Sequence, residues 1–108
     1  MMNKIYISGP ISGYDLKEQR KKFAHIEKAL RVNAPECEVF NPLKNGLPED
    51  AAYEEHMRTD IRALTECDSV VFLPGRENSA GCRVEFLVAT CLKLKVLFTE
   101  NEKGNEKD

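Results

Sequence analysis

The sequence predicts a parallel α/β fold, because short apolar runs alternate with longer amphipathic segments as far as residue 98. Four runs are rich in β-branched or aromatic residues and favour strands, and three intervening segments carry apolar residues at helical spacing. The order strand–helix–strand–helix–strand–helix–strand implies parallel strands joined by right-handed crossovers. We therefore expect a flavodoxin-like, doubly wound parallel sheet of four to five strands flanked by helices.

A strand and a long helix open the chain. Residues 4–8 (Lys-Ile-Tyr-Ile-Ser) are β-branched and aromatic, which favours a strand, and Gly9-Pro10 terminates it. Asp15 is followed three residues later by Glu18, a spacing typical of the capping box that starts a helix. Apolar residues then recur at helical spacing, which predicts an amphipathic helix that ends near Val32.

The middle of the chain predicts a short strand, a long loop and a second helix. Residues 37–40 form the strand, which Asn41-Pro42 stops. Residues 43–50 are rich in turn formers, and so long a connection in a short chain is a candidate lid or substrate-facing segment. The helix covers about residues 51–66, with an apolar stripe of Tyr53, Met57, Ile61 and Leu64. Asp60 falls within this stripe, either as an inward carboxylate or as a residue at its edge.

Residues 67–85 are the stretch around which the rest of the chain is organised. The apolar run at residues 69–73 is long enough for a buried parallel strand and too short for a helix. Pro74-Gly75 stops the strand, and Asn78-Ser79 can cap the helix that follows. Residues 96–98 supply the fourth strand. A strand, a glycine-bearing loop and a helix in succession place amide groups and a positive helix end at the carboxyl edge of the sheet.

Glu85 is the unusual residue of this third helix. At about 100° per residue, its face is shared with small or apolar residues, namely Gly81, Cys82, Val88, Ala89 and Leu92. A carboxylate on such a face is costly, and its pKa is expected to rise. Its side chain is expected to lean back over Gly81, where there is open space. Glu85 is therefore a candidate site residue, and the alternative is that it pairs with a buried cation or reaches solvent.

Composition and charge restrict the class of protein. A net charge of −2 without a basic stripe argues against binding to a nucleic-acid polymer. No apolar run approaches the length of a membrane span and no signal-peptide pattern is present, so we expect a cytoplasmic protein that acts on a small molecule. The four cysteines lack zinc-like spacing and are interpreted as reduced thiols, so no metal and no cofactor are expected. Residues 1–99 are expected to form one domain, and residues 100–108 a charged, flexible tail.

The expected binding crevice lies between the first and third strands. In a flavodoxin-like sheet the strand order reverses there, and ligands bind outside the carboxyl ends of the strands at that point. Residues 9–14 and 74–81 meet at this place and are the loops richest in glycine and serine. The residues expected around the crevice are Tyr6, Ser8, Gly9, Ser12, Gly13, Asn78, Ser79 and Gly81, with Glu85 just inside.

The residues at this crevice narrow the possible chemistry. Neither a Walker loop (G-x-x-x-x-G-K-[ST]) nor a G-x-G-x-x-G motif after the first strand is present. A receiver domain is expected to have acidic residues where this chain has Gly9-Pro10 and Pro74-Gly75, and no Ser–His–Asp set can be assembled. Two inward carboxylates, a tyrosine, hydroxyls and glycine amides remain. This set suits substitution at a sugar anomeric carbon, where a carboxylate stabilises or traps an oxocarbenium-like centre.

Three segments resemble the nucleoside 2-deoxyribosyltransferase superfamily. They are residues 5–13 (Ile-Tyr-Ile-Ser-Gly-Pro-Ile-Ser-Gly), Asp60 eight residues before the strand that Asp68 introduces, and residues 79–85 (Ser-Ala-Gly-Cys-Arg-Val-Glu). The resemblance spans roughly residues 4–98 and includes a small bacterial and phage branch and the deoxynucleoside 5′-monophosphate N-glycosidases. It implies an enzyme that cleaves or transfers the N-glycosidic bond of (deoxy)nucleosides or their 5′-monophosphates, and it implies a homodimer.

The resemblance also implies roles for individual residues. Glu85 matches the nucleophile that attacks C1′ and holds the deoxyribosyl group covalently. Asp60 matches a carboxylate that assists departure of the base, and Tyr6 matches a tyrosine that orients the nucleophile. Gly9 and Gly13 match glycines of the first loop that lie near the sugar and the base. Ser79 and Gly81 match residues at the 5′ end of the sugar.

One departure from the pattern keeps alternatives open. The glycosidase branch is expected to hold the phosphate with a basic side chain in the first loop, where this chain has Ser12, and Arg76 in the neighbouring loop is a candidate substitute. A non-catalytic module that binds or senses a nucleotide or an ADP-ribose-like ligand through the same crevice is therefore the first alternative. A pure interaction domain is the second, and it would leave Asp60 and Glu85 without a role.

Overall fold

A parallel sheet forms the centre of the molecule. The computed structural model describes residues 3–99, so the tail predicted at residues 100–108 lies outside the described residues. Within that range the four strands are β1 (Lys4–Ser8), β2 (Glu38–Phe40), β3 (Ser69–Phe72) and β4 (Lys95–Phe98). They lie in the order β2-β1-β3-β4, and every pairing is parallel. This is the flavodoxin-like order, so the predicted fold class is confirmed.

Helices cover both faces of the sheet. Within the described range they are α1 (Leu16–Asn33), α2 (Tyr53–Thr65) and α3 (Ala80–Cys91). Because successive strand residues point to opposite faces, Tyr6 packs in the cluster formed with α2 and α3, whereas Ile7 packs against α1 through Phe23. A search of the described helices found none long and apolar enough to cross a membrane.

The helix and strand boundaries follow from the capping residues and from the glycines and prolines of the sequence. Each observed strand and α-helix begins and ends within about two residues of its predicted position, whereas the short 3-10 helices Pro42–Lys44 and Arg76–Asn78 lie in segments predicted as loops. Asp15 caps α1 by accepting a hydrogen bond from the amide of Lys17 at 3.0 Å, so the N-cap is present, but the described residues show neither of the two bonds that a capping box with Glu18 requires. Ser79 caps α3 by accepting from the amide of Cys82 at 3.2 Å. All four cysteines are unpaired thiols, as expected.

Helix α3 turns Glu85 toward the sheet. Cys82, Glu85 and Ala89 form its buried line, as the helical arithmetic predicts. Leu92 was placed on the same face, but it is 47% exposed because the helix ends at Cys91 and Leu92 already belongs to the following turn. The inward direction predicted for Glu85 therefore agrees with the burial of Cys82 and Ala89 on the same helix face.

Gly9 brings the end of β1 close to the core. A Cβ atom at this position would lie 2.6 Å from Leu73 Cδ1 and 2.9 Å from Phe23 Cζ, which is closer than packed carbon atoms allow. Only glycine therefore fits where β1 passes into the first loop. This close approach seats the beginning of that loop directly at the carboxyl end of the sheet.

Glu27 anchors the loop after β2 to α1. Its buried carboxylate accepts hydrogen bonds from Asn41 Nδ2 at 3.0 Å and Arg31 Nε at 2.9 Å, and it pairs with Lys44 Nζ at 3.0 Å. Burial by itself raises the pKa of Glu27, but the hydrogen bonds from Asn41, Lys44 and Arg31 outweigh it and lower the pKa to about 2. The start of the loop is thus held in one place by charge-assisted bonds.

Replacing Glu27 by glutamine is expected to lower the free energy of unfolding at pH 7. The shift from 4.5 to about 2 corresponds to about 3 kcal/mol, which solvent screening of the exposed partners reduces to roughly 1–3 kcal/mol. Because the folded pKa is depressed, this stabilisation is present above about pH 4.5 and is lost as the pH falls toward 2. Urea denaturation between pH 2 and 7 measures the difference between the two proteins.

The matched control for this experiment is Glu18→Gln, which neutralises an exposed carboxylate of the same helix. The curves of wild type and Glu27→Gln should converge near pH 2. A difference that stays constant over the whole pH range would contradict the prediction.

Candidate active site

Glu85 is held between two hydroxyl groups at the carboxyl end of β1. Tyr6 Oη donates to Glu85 Oε2 at 2.6 Å, and Ser8 Oγ donates to Glu85 Oε1 at 2.5 Å. Glu85 is only 6% exposed, and both hydroxyl residues are fully buried behind it. Tyr6 is fixed further by stacking on Phe40, with ring centroids 5.3 Å apart. Both carboxylate oxygens therefore have a fixed partner, and the group cannot rotate freely.

Burial changes the protonation of this cluster. It raises the pKa of Glu85 to about 7, since desolvation and the charge of Asp60 outweigh the hydrogen bonds from Ser8 and Tyr6. Burial and the neighbouring Glu85 charge also raise the pKa of Tyr6 well above its ordinary value, so the phenol remains a donor. A carboxyl group with a pKa near neutrality can be ionised for attack at little cost, which is typical of functional sites.

Asp60 is the second buried carboxylate of this region. It is 6% exposed and lies with Leu64 on the buried line of α2, so it occupies the centre of the apolar stripe and not its edge. Tyr53, expected in the same stripe, is exposed in the first turn of the helix. Asp60 Oδ1 accepts a hydrogen bond from Asn45 Nδ2 at 2.9 Å. Burial raises the pKa of Asp60, and the bond from Asn45 opposes that rise.

Glu85 and Asp60 open into one cavity of about 760 Å³, a volume typical of small-molecule sites. Its walls are the first loop, the start of α1, the loop after β2, α2 and the amino-terminal turn of α3. The charge of Asp60 adds to the rise in the pKa of Glu85, although burial is the larger cause. The arrangement brings a carboxylate fixed at both oxygens and a second carboxyl group to the wall of one cavity.

The residues predicted from the sequence divide into two groups. Those that line the cavity are Gly9, Ser12, Asp60, Asn78, Ser79, Gly81 and Glu85. Tyr6 and Ser8 lie behind Glu85 and support it, and Gly13 occupies an exposed turn with a φ of 81°. Neither Gly13 nor these two supporting residues is part of the cavity wall within the described range. The substrate-binding roles given to Ser8 and Gly13 stay predictions.

The loop after β2 contributes more than its composition indicated. It was expected to face a substrate, and Leu43, Asn45, Leu47 and Glu49 do line the cavity. The contacts of Asn45 and His56 with each other were not predicted, because no sequence pattern joins a loop asparagine to a histidine on the following helix. His56 also lines the cavity.

The arginine on the cavity wall is not the one expected from the sequence. Arg76, the candidate phosphate ligand, has its guanidinium 4.2 Å from the ring centroid of Phe98, and it is not part of the cavity wall. Arg20 lines the cavity instead and pairs with Glu49 at 2.7 Å. No group of three or more His, Cys, Asp or Glu side chains that could hold a metal ion was found in residues 3–99.

The α/β fold of this chain is similar to that of two 2-deoxyribosyltransferases and a CMP N-glycosidase. A 2-deoxyribosyltransferase from Bacillus psychrosaccharolyticus superposes with a TM-score of 0.69 at 24% identity, over 88% of this chain and 70% of its own. The Clostridium botulinum CMP N-glycosidase BcmB gives 0.61 at 24% identity, over 94% and 72%. A 2-deoxyribosyltransferase from Leishmania mexicana gives 0.65 at 18% identity, over 89% and 63%.

The chain belongs to the family described as a domain of unknown function, DUF4406, whose model matches residues 3–98. No curated protein matches the sequence significantly. At these identities the structural likeness establishes a shared fold, so any chemistry must be argued from the residues of this chain.

Proposed function

We propose that the protein cleaves or transfers the N-glycosidic bond of (deoxy)nucleosides or their 5′-monophosphates. The observation that carries this proposal is the buried Glu85, clamped by the hydroxyls of Tyr6 and Ser8 and facing the same cavity as Asp60. The names of the structural neighbours, two deoxyribosyltransferases and a CMP N-glycosidase, support this class of reaction.

The proposed first step is a displacement at C1′. A carboxylate oxygen of Glu85 forms a bond to C1′ while the bond from C1′ to the base nitrogen breaks, and the nitrogen keeps the electron pair. Protonated Asp60 gives its proton to the departing base, which leaves as a neutral molecule. The hydroxyl of Tyr6 holds Glu85 Oε2 and limits the orientations of the attacking group.

The proposed second step reverses these roles. Ionised Asp60 takes a proton from water or from a second base, which attacks C1′ and breaks the bond to Glu85. Water gives hydrolysis and a second base gives transfer. Two successive inversions retain the configuration at C1′. All of these proton transfers use groups of the chain and of the substrate, so the scheme requires no cofactor.

The substrate is proposed to lie between the two glycine-bearing loops. Asn78, Ser79 and Gly81, at the amino-terminal turn of α3, are proposed to hold the 5′ end of the sugar, where helix amides favour a phosphate. Gly9 and Ser12 of the first loop are proposed to contact the sugar and the base, whereas Ser8 acts on the site only through Glu85. The loop after β2 forms the opposite wall, where the base would lie.

A substrate panel tests this proposal. The protein is incubated with each deoxynucleoside and its 5′-monophosphate, with and without a second free base, and the products are separated by chromatography. We expect release of a free base, or base exchange, that disappears in Glu85→Ala. Absence of product from the whole panel, or product formation undiminished in the variant, would contradict the proposal.

A non-catalytic nucleotide-binding module is the second candidate. It is favoured by one observation: the only arginine or lysine on the described cavity wall, Arg20, already pairs with Glu49, and the first loop carries Ser12 in place of a basic residue. Calorimetric titration with nucleotides and ADP-ribose separates the candidates. Tight binding without turnover would favour the module, whereas turnover would favour the enzyme.

Ser8 is expected to control the protonation of Glu85. Its hydroxyl stabilises the carboxylate, so Ser8→Ala should raise the pKa of Glu85 above about 7 and move the acid limb of the kcat/KM profile to higher pH. Loss of a hydrogen bond to a charged group should also lower kcat/KM about tenfold or more. The control is Ser69→Ala, because Ser69 is the first residue of β3 and Ser8 lies beside the last, Phe72. An unshifted limb in Ser8→Ala would contradict this role.

We also propose a homodimer in the cytoplasm. The outer face of α3 exposes Val84 and Leu87, the latter 63% exposed, and an apolar helix face of this kind is normally covered. Unpaired cysteines suit a reducing compartment. Light scattering should give twice the chain mass for wild type and the chain mass for Leu87→Glu. A monomeric wild type would contradict the proposal.

A further inference from the structure

Asp60 is connected to the loop after β2 by a short polar network. Asn45 Nδ2 lies 2.9 Å from Asp60 Oδ1 and 3.1 Å from His56 Nδ1. An asparagine amide carries two hydrogens, so each of these contacts can receive one of them. The side chains of Asn45, His56 and Asp60 all line the cavity, which places the network beside the reacting bond of the proposed substrate.

Two backbone groups fix the direction of every hydrogen bond in this network. The amide of Leu47 donates to Asn45 Oδ1 at 3.0 Å, so the nitrogen of the Asn45 side chain must face Asp60 and His56. The carbonyl of Pro48 lies 3.1 Å from His56 Nε2 and can only accept, so the imidazole hydrogen lies on Nε2. His56 Nδ1 is then an acceptor and receives the second amide hydrogen of Asn45.

The backbone of the loop makes this arrangement possible. Gly46 has a φ of 92°, a left-handed conformation that other residues rarely adopt, and the turn it forms brings Leu47 N back to the Asn45 side chain. The network therefore depends on a local turn and does not depend on the identity of a bound molecule.

We propose that Asn45 and His56 are positioning residues for Asp60, which hold its acidic proton on Oδ2. Asn45 presents only a hydrogen-bond donor to Oδ1 of Asp60. A carboxyl proton on Oδ1 would therefore lie against the hydrogen that Asn45 donates, whereas a proton on Oδ2 faces no such hydrogen. Oδ2 makes no hydrogen bond within the described residues, and it is not among their buried unpartnered atoms, so it is accessible from the cavity that Asp60 lines. The carboxylic acid thus has its proton on the oxygen that can reach a departing base.

This inference rests on the proposed function, and it assigns a role to residues outside the pair of carboxylates. Asn45 touches Asp60, and His56 acts through Asn45. Loss of either should impair only the proton transfer to the leaving group. A substrate whose leaving group departs as a stable anion should therefore be insensitive to both residues.

The test compares two substrates in matched variants. One is the deoxynucleoside or monophosphate identified by the panel, and the other is the p-nitrophenyl glycoside of the same sugar, which leaves without protonation. We expect Asn45→Ala and His56→Phe to lower kcat on the first substrate about 10- to 100-fold, with KM little changed, and to leave the second within about threefold. Glu55→Ala, exposed on the same helix, is the control.

The outcomes separate this inference from the proposed function. Equal losses on both substrates, or no loss on either, would overturn the positioning role while turnover by wild type upheld the function. No turnover of either substrate by wild type would overturn the function and this inference with it. A second measurement needs no variant: ¹⁵N NMR of the histidine rings should show His56 with its hydrogen on Nε2, and hydrogen on Nδ1 would overturn the assignment.

Discussion

Glu85→Gln is expected to abolish turnover and, at alkaline pH, to make the protein more stable. The amide cannot form the covalent intermediate, so kcat/KM should fall by at least about 10³-fold. Tyr6 and Ser8 can still bond to the amide, because each hydroxyl is able to donate or accept. The site should therefore remain folded, and a product assay on the purified variant measures the loss.

The gain in stability has a calculable sign and size. Burial raises the pKa of Glu85 from 4.5 to about 7, so the folded state is favoured by its protonated form and loses up to about 3 kcal/mol as the pH rises through 7. Glutamine mimics the protonated form at every pH. Urea denaturation should show the variant more stable than wild type at pH 8.5 and nearly equal to it below pH 4.5.

The control for this pair of measurements is Glu66→Gln, which neutralises an exposed carboxylate next to α2. It should change neither turnover nor the pH dependence of unfolding. A variant at Glu85 that destabilises the protein at pH 8.5 would mean that the carboxylate is paired with a cation, and it would also remove the basis for an ionisable nucleophile.

Asp60→Asn is expected to change the shape of the pH profile as well as the rate. In wild type the reactive form has Glu85 ionised and one proton on Asp60, so kcat/KM should be bell-shaped. It should rise through about pH 7 as Glu85 ionises and fall at higher pH as Asp60, whose pKa burial raises, loses its proton. The variant has no acid for the base, and kcat should fall about 10²- to 10⁴-fold on substrates that need protonation.

The pH profile of the remaining activity of Asp60→Asn should lack the alkaline limb of the wild-type profile. Without the charge of Asp60, the pKa of Glu85 falls below about 7, and activity should rise with pH to a plateau and show no alkaline limb. Steady-state kinetics from pH 4 to 9 measure both profiles. An alkaline limb that persists in the variant would mean that the proton lost there belongs to a group other than Asp60.

Local patterns in the sequence were sufficient for the fold, and they favoured an inward direction for the two acids without excluding the alternatives. Helical spacing places Glu85 with Cys82 and Ala89, and the same spacing places Asp60 with Leu64. Such patterns report which side of an element is buried, because burial follows the period of the helix. Where they failed, at Leu92 and Tyr53, the residues lie at helix ends, where the period no longer decides burial.

The sequence by itself therefore determined a parallel α/β sheet, two carboxylates turned toward the core and glycine-bearing loops at the strand ends. Only the tertiary structure decided that Ser8 reaches Glu85, 77 residues away, and that Asn45 reaches both His56 and Asp60. These contacts depend on the register in which Ser8 of β1 lies beside Phe72 of β3 and on the path of one loop. Strand register and loop path are set by packing between distant segments, which no local pattern contains.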